Sequence, residues 1–248
     1  MPDKIQEIQV RIDEDPTNYK LWLEKGLEYV AQNRYAEARE AFSVGLIYNP
    51  FSADCYRERG RKFISEGRYP ETVADLTMAS RLDPDNNEHW YYQGVAAYLG
   101  EMYERAAEAF PHAIECMKKQ GIDEWLAAVD WLWLTYNKLG MKDKAAEIIT
   151  TVDEDTPCIP RSLSYKKRVL LYRGIIKPEE FLDREALKST DRPELYLISE
   201  LFGLGNYYYS IGEEEKGNEL LKEARDIPSW HASFAYQLAC KELAKRGL

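Results

Sequence analysis

The fold is decided by the stretch Leu21-Trp-Leu-Glu-Lys-Gly-Leu-Glu-Tyr29, with its continuation to Tyr48-Asn-Pro50. Its pattern of aromatic, glycine and proline residues occurs three times at one spacing of 34 residues. Four sets of equivalent positions follow this spacing: Trp22, Tyr56 and Trp90; Gly26, Gly60 and Gly94; Tyr35, Tyr69 and Tyr103; and Pro16, Pro50 and Pro84. A fixed period of this length is the sequence signature of a stacked array of helical repeats. Each unit of such an array buries its apolar face against its neighbours.

Large and small residues recur at set positions within each period. In residues 19–52, positions 4, 8, 11, 17, 20, 24 and 32 hold Trp22, Gly26, Tyr29, Tyr35, Ala38, Phe42 and Pro50. This pattern resembles the tetratricopeptide repeat. Residues 53–86 repeat it with Thr72 at the small position 20, and residues 87–120 repeat it with Lys118 in place of the closing proline.

Helix packing explains the small positions. A glycine inside a helix costs roughly 1 kcal/mol relative to alanine, so its recurrence at position 8 indicates a close approach of two helices that offsets this cost. Large residues at positions 4, 11 and 24 fill the remaining space, and each contributes on the order of 2 kcal/mol when buried. We therefore expect Trp22→Ala and Phe42→Ala to be strongly destabilising.

The segments on either side extend the array. Ile5, Ile8 and Ile12 lie at helical spacing and predict a leading helix over residues 3–14. Residues 126–159 read as a fourth unit, in which Trp133 occupies the small position 8, so that its two helices should be splayed. The clustered Trp125, Trp131 and Trp133 are expected to be core residues rather than a ligand platform.

The C-terminal part is less regular. Residues 162–192 read as a degenerate unit that breaks at Gly174, residues 198–229 as a further unit, and residues 229–246 as a C-terminal capping helix. Asp191 and Ser229 are the expected N-caps of the last long helices. The predicted fold is all-α: a right-handed α-α superhelix of about six helix pairs with terminal capping helices, forming a single tetratricopeptide solenoid over residues 1–248.

Charge and hydropathy exclude two classes of partner. The chain has 33 basic and 43 acidic residues, a formal net charge of -10, and it has no basic tail or stripe to neutralise a phosphate backbone, so a nucleic-acid partner is not expected. It has no run of about 18 apolar residues, so membrane insertion is not expected either. The start Met1-Pro-Asp-Lys lacks a signal-peptide pattern, and we expect a cytoplasmic location; an envelope location would require a signal segment.

The sequence indicates neither catalysis nor a cofactor. The four cysteines lie far apart without C-x-x-C spacing, and no metal site is expected. Ser164-Tyr-Lys-Lys167 fits S-x-x-K, but the other motifs of such a catalytic site are absent. The three histidines, His89, His112 and His231, have no partner at a recognisable motif spacing and are expected at the surface.

A second stripe of each first helix lies opposite the packing stripe, since successive residues are about 100° apart. In the family that this chain resembles, that stripe lines a concave groove that holds a peptide or a partner helix. The residues predicted to bind a partner there are Lys20, Leu23, Leu27, Arg57, Arg61, Tyr91, Val95, Tyr98, Asp130, Asn137, Phe202 and Asn206.

Arg57 and Arg61 lie one turn apart in this groove and leave two alternatives open. They can fork onto a carboxylate of the partner, or they can form ion pairs with neighbours such as Asp54 and Glu88. Chaperone adaptors of the same family hold a C-terminal carboxylate with an asparagine at position 9 of the first unit. Leu27 stands there in this chain, so an apolar or helical partner segment is favoured.

A second resemblance covers roughly residues 125–240. The segments Leu171-Tyr-Arg-Gly-Ile-Ile-Lys-Pro-Glu-Glu-Phe-Leu-Asp183 and Ser199-Glu-Leu-Phe-Gly-Leu-Gly-Asn-Tyr-Tyr-Tyr-Ser-Ile-Gly212 look like the later half of the NlpI-type repeat lipoproteins. That resemblance implies a bacterial origin and an adaptor for peptidoglycan hydrolases or proteases. This chain lacks the lipoprotein signal and its lipidated cysteine, so location and partners do not carry over.

Taken together, these patterns favour a non-enzymatic protein–protein interaction scaffold that binds a peptide or helix segment in its groove. Two alternatives stay open: an adaptor of the NlpI type, and a structural array that self-associates, as a homodimer for example, through the apolar stripe of residues 19–52 or the splayed unit at residues 126–159.

Overall fold

The computed structural model describes residues 4–248, and every regular element in that range is helical, which confirms the predicted all-α class. The chain divides into two compact units, Met1–Lys119 and Gln120–Leu248. The single continuous solenoid stays a prediction. Consecutive helices of the first unit pack in adjacent pairs. Its helices are α1 Lys4–Glu14, α2 Tyr19–Ala31, α3 Tyr35–Tyr48, α4 Ala53–Ser65, α5 Tyr69–Leu82, α6 Asn87–Leu99 and α7 Tyr103–Lys119.

The first helix of each pair in the first unit begins with the same kind of side-chain N-cap. Asn18, Ser52 and Asn86 lie 34 residues apart, and each side chain accepts a hydrogen bond from a backbone N–H of the first turn. Such caps satisfy N–H groups that have no partner within the helix. A second recurring bond joins the indole Nε1 of Trp22 to the carbonyl oxygen of Pro16 at 2.8 Å, and that of Trp90 to Pro84, also at 2.8 Å.

The turn inside each pair also repeats. Asn33, Gly67 and Glu101 have positive φ angles of 58°, 70° and 62°. The N–H of the next residue reaches back five positions, as from Arg34 to the Tyr29 oxygen at 2.9 Å. This left-handed C-terminal cap closes one helix and sends the chain back antiparallel. Gly140, Gly174 and Gly212 form the same turn in the second unit.

Position 8 is small because an aromatic or leucine side chain from position 24 lies against it. A Cβ on Gly26 would overlap the Phe42 ring, and one on Gly94 would lie 2.7 Å from the Phe110 ring. Both rings are fully buried. The predicted close approach at these glycines is therefore present, and it places the phenylalanines in the core.

The second unit is less regular. Its helices are α8 Trp125–Lys138, α9 Lys142–Ile149, α10 Leu163–Tyr172, α11 Pro178–Phe181, α12 Arg184–Lys188, α13 Pro193–Ser210, α14 Glu214–Arg225 and α15 Phe234–Lys245, with short 3₁₀ turns at Pro160–Ser162 and Pro228–Trp230. The degenerate segment thus contains two short helices after Gly174.

Two predicted caps are wrong. Arg192, not Asp191, precedes α13, and its side chain makes no capping bond because a guanidinium has no acceptor for a first-turn N–H. Pro193 takes the first helical position, which suits proline. The last helix begins at Phe234 and is capped by Ser233, whose hydroxyl accepts from the N–H of Tyr236. Pro228 confines Ser229 to a 3₁₀ turn, ahead of the helix.

Trp133 and Trp131 lie in the core, as predicted for the tryptophan cluster, whereas Trp125 is only partly buried. Trp133 is 5% exposed and stacks on Tyr172, with ring centroids 3.6 Å apart and an angle of 8° between the planes. Trp131 is 6% exposed. No helix among residues 4–248 is both long enough and apolar enough to cross a membrane.

Candidate partner-binding sites

One face of α2 carries the first of the predicted groove residues. Lys20 is exposed, Leu23 is half-buried and Leu27 is 44% exposed. The three lie at i, i+3 and i+7, which places them on one side of the helix. The packing residues Trp22, Gly26 and Tyr29 follow a different stripe. We call Lys20, Leu23 and Leu27 the α2 face.

Arg57 and Arg61 on α4 are surrounded by acids of the same unit. The Arg57 Nε donates to Glu58 at 3.0 Å, and its other nitrogens lie 3.2 Å from Asp54 and 3.7 Å from Glu88. Arg61 lies 3.9 Å from Glu58 and 4.0 Å from Glu88. Since Glu58 is only 6% exposed, the two arginines compensate a buried carboxylate. A partner carboxylate would have to compete with these acids.

The groove residues of α6 lie at different depths. Tyr91 is half-buried, whereas Val95 is 0% and Tyr98 is 2% exposed. The Tyr98 ring meets Tyr103 edge-on, with centroids 5.4 Å apart. Val95 and Tyr98 therefore belong to the packed interior in this structure, because their stripe on α6 is covered while the matching stripe on α2 is open.

In the second unit, the predicted polar residues are mostly engaged with their own helices. The Asn137 amide donates to the Trp133 carbonyl at 2.9 Å, and the Asn206 amide donates to the Phe202 carbonyl at 2.8 Å. Asn206 is 7% exposed. Asp130 and Phe202, in contrast, come together in one place, at the wall of a cavity.

That cavity, which we call the recess, has a volume of about 440 Å³ and lies wholly within the second unit. Four segments surround it: α8, the stretch from residue 161 through α10, the first half of α13, and residues 230–235. Its lining is mostly aromatic and aliphatic, and consists of Asp130, Trp131, Leu134, Arg161, Ser164, Tyr165, Arg168, Leu195, Tyr196, Ser199, Phe202, Trp230, Ala232, Ser233, Phe234 and Ala235.

A buried ion pair forms the polar part of the recess. The Arg168 Nη2 donates to Asp130 Oδ2 at 2.8 Å, and its Nη1 donates to the carbonyl oxygen and the hydroxyl of Ser199 at 3.1 and 3.0 Å. Arg168 is 4% exposed and Asp130 is 1% exposed. The Arg168 guanidinium also lies over the Tyr165 ring, 4.6 Å from its centroid.

Burial and pairing act in opposite directions on this pair. Burial raises the pKa of the Asp130 carboxyl, and the attraction of Arg168 only partly opposes this rise. For Arg168, burial favours the neutral form, but Asp130 and neighbouring groups raise the pKa on balance, so the guanidinium keeps its proton. Each charge in the recess thus depends on the other.

A close approach at a glycine makes room for Arg168. A Cβ on Gly203 of α13 would overlap the aliphatic stem of Arg168 and lie 2.8 Å from its Cγ. Sequence reasoning placed Asp130 and Phe202 in a binding site but missed Arg168, Tyr196 and Trp230. One signal was available: Asp130 is the lone acid among the apolar residues Leu126–Leu134, and such an acid requires a buried cation.

The Ser164-x-x-Lys167 motif is not arranged as a Ser–Lys catalytic pair. The Lys167 ammonium donates to Glu200 Oε1 at 3.0 Å. Glu200 is 3% exposed, and burial raises its pKa. A lysine held by a carboxylate is a poor base for a serine hydroxyl. Within residues 4–248, no three His, Cys, Asp or Glu side chains are grouped so as to hold a metal ion.

The expectation of surface histidines is wrong for His89, which is completely buried. Its Nδ1 lies 3.0 Å from the carbonyl oxygen of Asp83. The residue sits near the start of α6, where the preceding turn supplies that acceptor. This is a structural role that the spacing of the histidines did not reveal.

The geometry defines an all-helical repeat protein, and comparisons identify the repeat. Residues 23–76 and 59–115 match the family model of the tetratricopeptide repeat. A tetratricopeptide repeat protein from Parabacteroides merdae has a similar structure, with 15% sequence identity and a TM-score of 0.62 over 95% of this chain and 91% of that one.

Two further structures are similar. YrrB, described as a tetratricopeptide-repeat protein with an unusual peptide-binding site, is 15% identical with a TM-score of 0.56 over 94% of this chain and 97% of that one. MamA is 16% identical with a TM-score of 0.54 over 88% and 95%. Residues 23–115 match the tetratricopeptide repeat, and the chain has the fold of tetratricopeptide-repeat proteins, as the sequence pattern predicted.

Proposed function

We propose that this protein is a non-enzymatic scaffold that binds a peptide or a helical segment of a partner protein. Tetratricopeptide repeats are in general non-catalytic modules of protein–protein interaction, and YrrB has a peptide-binding site. The observation that carries the proposal is the α2 face, where Leu27 is 44% exposed and Leu23 is half-buried, on a different stripe from the packing residues Trp22, Gly26 and Tyr29.

The α2 face suits an apolar partner segment. Burial of apolar surface stabilises a complex by about 25 cal/mol per Å² before the costs of association are subtracted. Two acids beside Arg57 and Arg61 are more exposed than the arginines: the side chains of Asp54 and Glu88 are 57% and 42% exposed, whereas those of Arg57 and Arg61 are 21% and 33% exposed. An amphipathic segment with neutral or basic flanking residues therefore fits better than an acidic tail.

Peptide display gives a direct test. We expect random peptides displayed on phage to be enriched on the immobilised protein, with aliphatic or aromatic residues at recurrent spacing. Leu23→Glu with Leu27→Glu should weaken the selected peptides by at least about tenfold, since two apolar contacts are replaced by charges. Ile47→Glu with Phe51→Glu is the matched control, because both residues are 76% exposed apolar side chains off this face.

Loss of binding in both variants, or in neither, would contradict the proposal. The charge reversal of Arg57 and Arg61 is a weaker test, because Glu at both positions would leave the buried Glu58 without compensation. Arg57→Gln with Arg61→Gln avoids the added negative charge but also removes both cations from Glu58, so circular dichroism must first show that the variant is folded.

Self-association is a second candidate, favoured by the exposed Ile47 and Phe51. Sedimentation at two protein concentrations tests it: a dimer that dissociates in the Ile47→Glu, Phe51→Glu variant would support it. The role as an adaptor for peptidoglycan hydrolases or proteases, the cytoplasmic location and the bacterial origin stay predictions.

A further inference from the structure

We propose that the recess in the second unit binds a small, neutral, planar aromatic compound that carries a hydrogen-bond acceptor. This site is separate from the α2 face, so the inference goes beyond the peptide-binding function and does not depend on it.

The size and lining of the recess fit a small molecule. Pockets for such ligands measure roughly 300–1,000 Å³ and combine apolar walls with a few placed polar groups, and the recess has about 440 Å³. Trp131, Tyr196, Phe202 and Phe234 are among its aromatic walls. Aromatic side chains prefer offset or edge-to-face contacts with another ring. A flat ring is therefore the shape that uses these walls most fully.

The charges of the recess favour a neutral ligand. Arg168 is already compensated by Asp130 at 2.8 Å, and Arg161 is ion-paired with Glu124. An anionic ligand would meet the carboxylate of Asp130, and a cationic ligand would meet Arg168, both in surroundings where screening by water is weak. The charged lining residues Asp130, Arg161 and Arg168 are all ion-paired within the protein, so a charged ligand would find no unpaired opposite charge among them.

Two buried donors call for an acceptor on the ligand. The Ser164 hydroxyl and the Arg168 Nε, together with the acceptor Asp130 Oδ1, are shielded from solvent and have no hydrogen-bond partner within residues 4–248. Both residues line the recess. Buried polar groups are satisfied in nearly all proteins, and the exceptions call for an explanation. A carboxamide on a bound compound supplies an oxygen that can accept from these donors and an N–H that can donate to Asp130 Oδ1.

The test uses three related indoles and the intact chain. Isothermal titration calorimetry should show binding of indole-3-acetamide with a dissociation constant of about 1 mM or lower, the range expected for a compound of this size. It should bind at least about fivefold more tightly than 3-ethylindole, which lacks the acceptor, and more tightly than the anion indole-3-acetate.

Tryptophan substitutions inside and outside the recess test whether the indoles bind there. Ala232→Trp adds bulk at an exposed lining position and should abolish binding, whereas Ala146→Trp, an exposed alanine on α9 outside the recess, should leave it unchanged. Ser164→Ala should reduce the preference for the amide over 3-ethylindole by at least about twofold. The binding of 3-ethylindole should stay the same, because the walls are intact. Circular dichroism of each variant checks that it is folded.

Several results would overturn the proposal. These are the absence of binding by any indole up to about 10 mM, equal affinity of Ala232→Trp and the unchanged chain, or tightest binding of indole-3-acetate. Binding of N-acetyl-tyrosinamide without binding of the free indoles would assign the recess to a side chain of a partner peptide instead.

Discussion

Gly26 on α2 and Gly203 on α13, one in each of the two compact units, both allow a side chain from another helix to approach closely, but with different results. Gly26 of the first unit lets the Phe42 ring lie against its helix, and the contact is apolar and fully buried. Gly203 of the second unit lets the stem of Arg168 lie against its helix, and the guanidinium beyond that stem reaches Asp130. At Gly26 the close approach buries an apolar side chain in the core. At Gly203 it positions the charged Arg168 guanidinium beside Asp130.

The comparison teaches that a helical glycine identifies a close approach but not its purpose. The residue that fills the space determines the outcome. At Gly26 the filling residue comes from the partner helix of the same repeat, as the 34-residue pattern requires. At Gly203 it comes from α10, outside the repeat register, and a recess with polar groups lies next to it.

The largest effect should come from breaking the ion pair of the second unit. Arg168→Met keeps the stem against Gly203 but leaves Asp130 buried without its cation, and loss of one partner of a buried pair typically costs about 3–5 kcal/mol. Urea denaturation followed by circular dichroism measures this cost. Adding Asp130→Asn removes the uncompensated charge and should recover much of the loss. An equal loss of unfolding free energy in the double variant would mean that lost packing, and not the uncompensated charge, causes the destabilisation.

The cost of Arg168→Met should depend on pH in a defined direction. Burial already raises the pKa of Asp130 above its value in the unfolded chain, and removal of Arg168 raises it further. A carboxyl whose pKa is raised by folding binds its proton more tightly in the folded state, so stability falls as pH rises through the unfolded value of about 3.9. The variant should therefore be least impaired at acid pH. A pH-independent difference would contradict this assignment.

An intermediate effect is expected from replacing Gly26 by alanine. Gly26→Ala forces a methyl group into the Phe42 ring and should destabilise by about 1–3 kcal/mol, the usual cost of overpacking. Gly60→Ala is the matched control. Its nearest contacts would be Asp75 Cβ at 3.2 Å and Leu76 Cγ at 3.3 Å, so the gain in helix propensity, about 1 kcal/mol, offsets most of the strain. Thermal unfolding of both variants ranks them; equal losses would argue against the ring contact.

The smallest effect should come from the caps, which the two units share. Ser52→Ala and Ser233→Ala each remove an acceptor for a first-turn N–H and should cost about 1 kcal/mol. Glycine at either position should cost only a few tenths of a kcal/mol. Hydrogen exchange of the Cys55 and Tyr236 amides, the two donors, locates the effect. Unchanged protection in the alanine variants would show that the caps are dispensable.

The sequence predicted the first unit more closely than the second, and the reason is physical. Repeated spacing reveals residues that must be alike, so Gly26, Phe42 and Trp22 were found. The turn residues Asn33, Gly67 and Glu101 were not predicted, and a glutamate does not usually mark a left-handed position. Arg168 could not be separated by pattern from Lys166 and Lys167 beside it, because only the tertiary approach of α8 and α13 distinguishes a buried cation from two more accessible ones.

Of the predicted groove, the part on α2 is accessible, whereas Val95, Tyr98 and Asn206 are buried. A helical stripe computed from about 100° per residue states which side chains share a side. It does not state which sides remain uncovered, since that depends on later parts of the chain. The binding roles of the twelve residues stay predictions.

The placement of the tryptophans has a spectroscopic consequence. Trp22 and Trp90, the only two of the first unit, are partly exposed and bonded to proline carbonyls, whereas the two most buried indoles, Trp131 and Trp133, both belong to the second. Buried indoles emit at shorter wavelengths than hydrated ones. The blue edge of the intrinsic fluorescence thus reports the second unit, so that its melting can be followed in the intact chain without any added label.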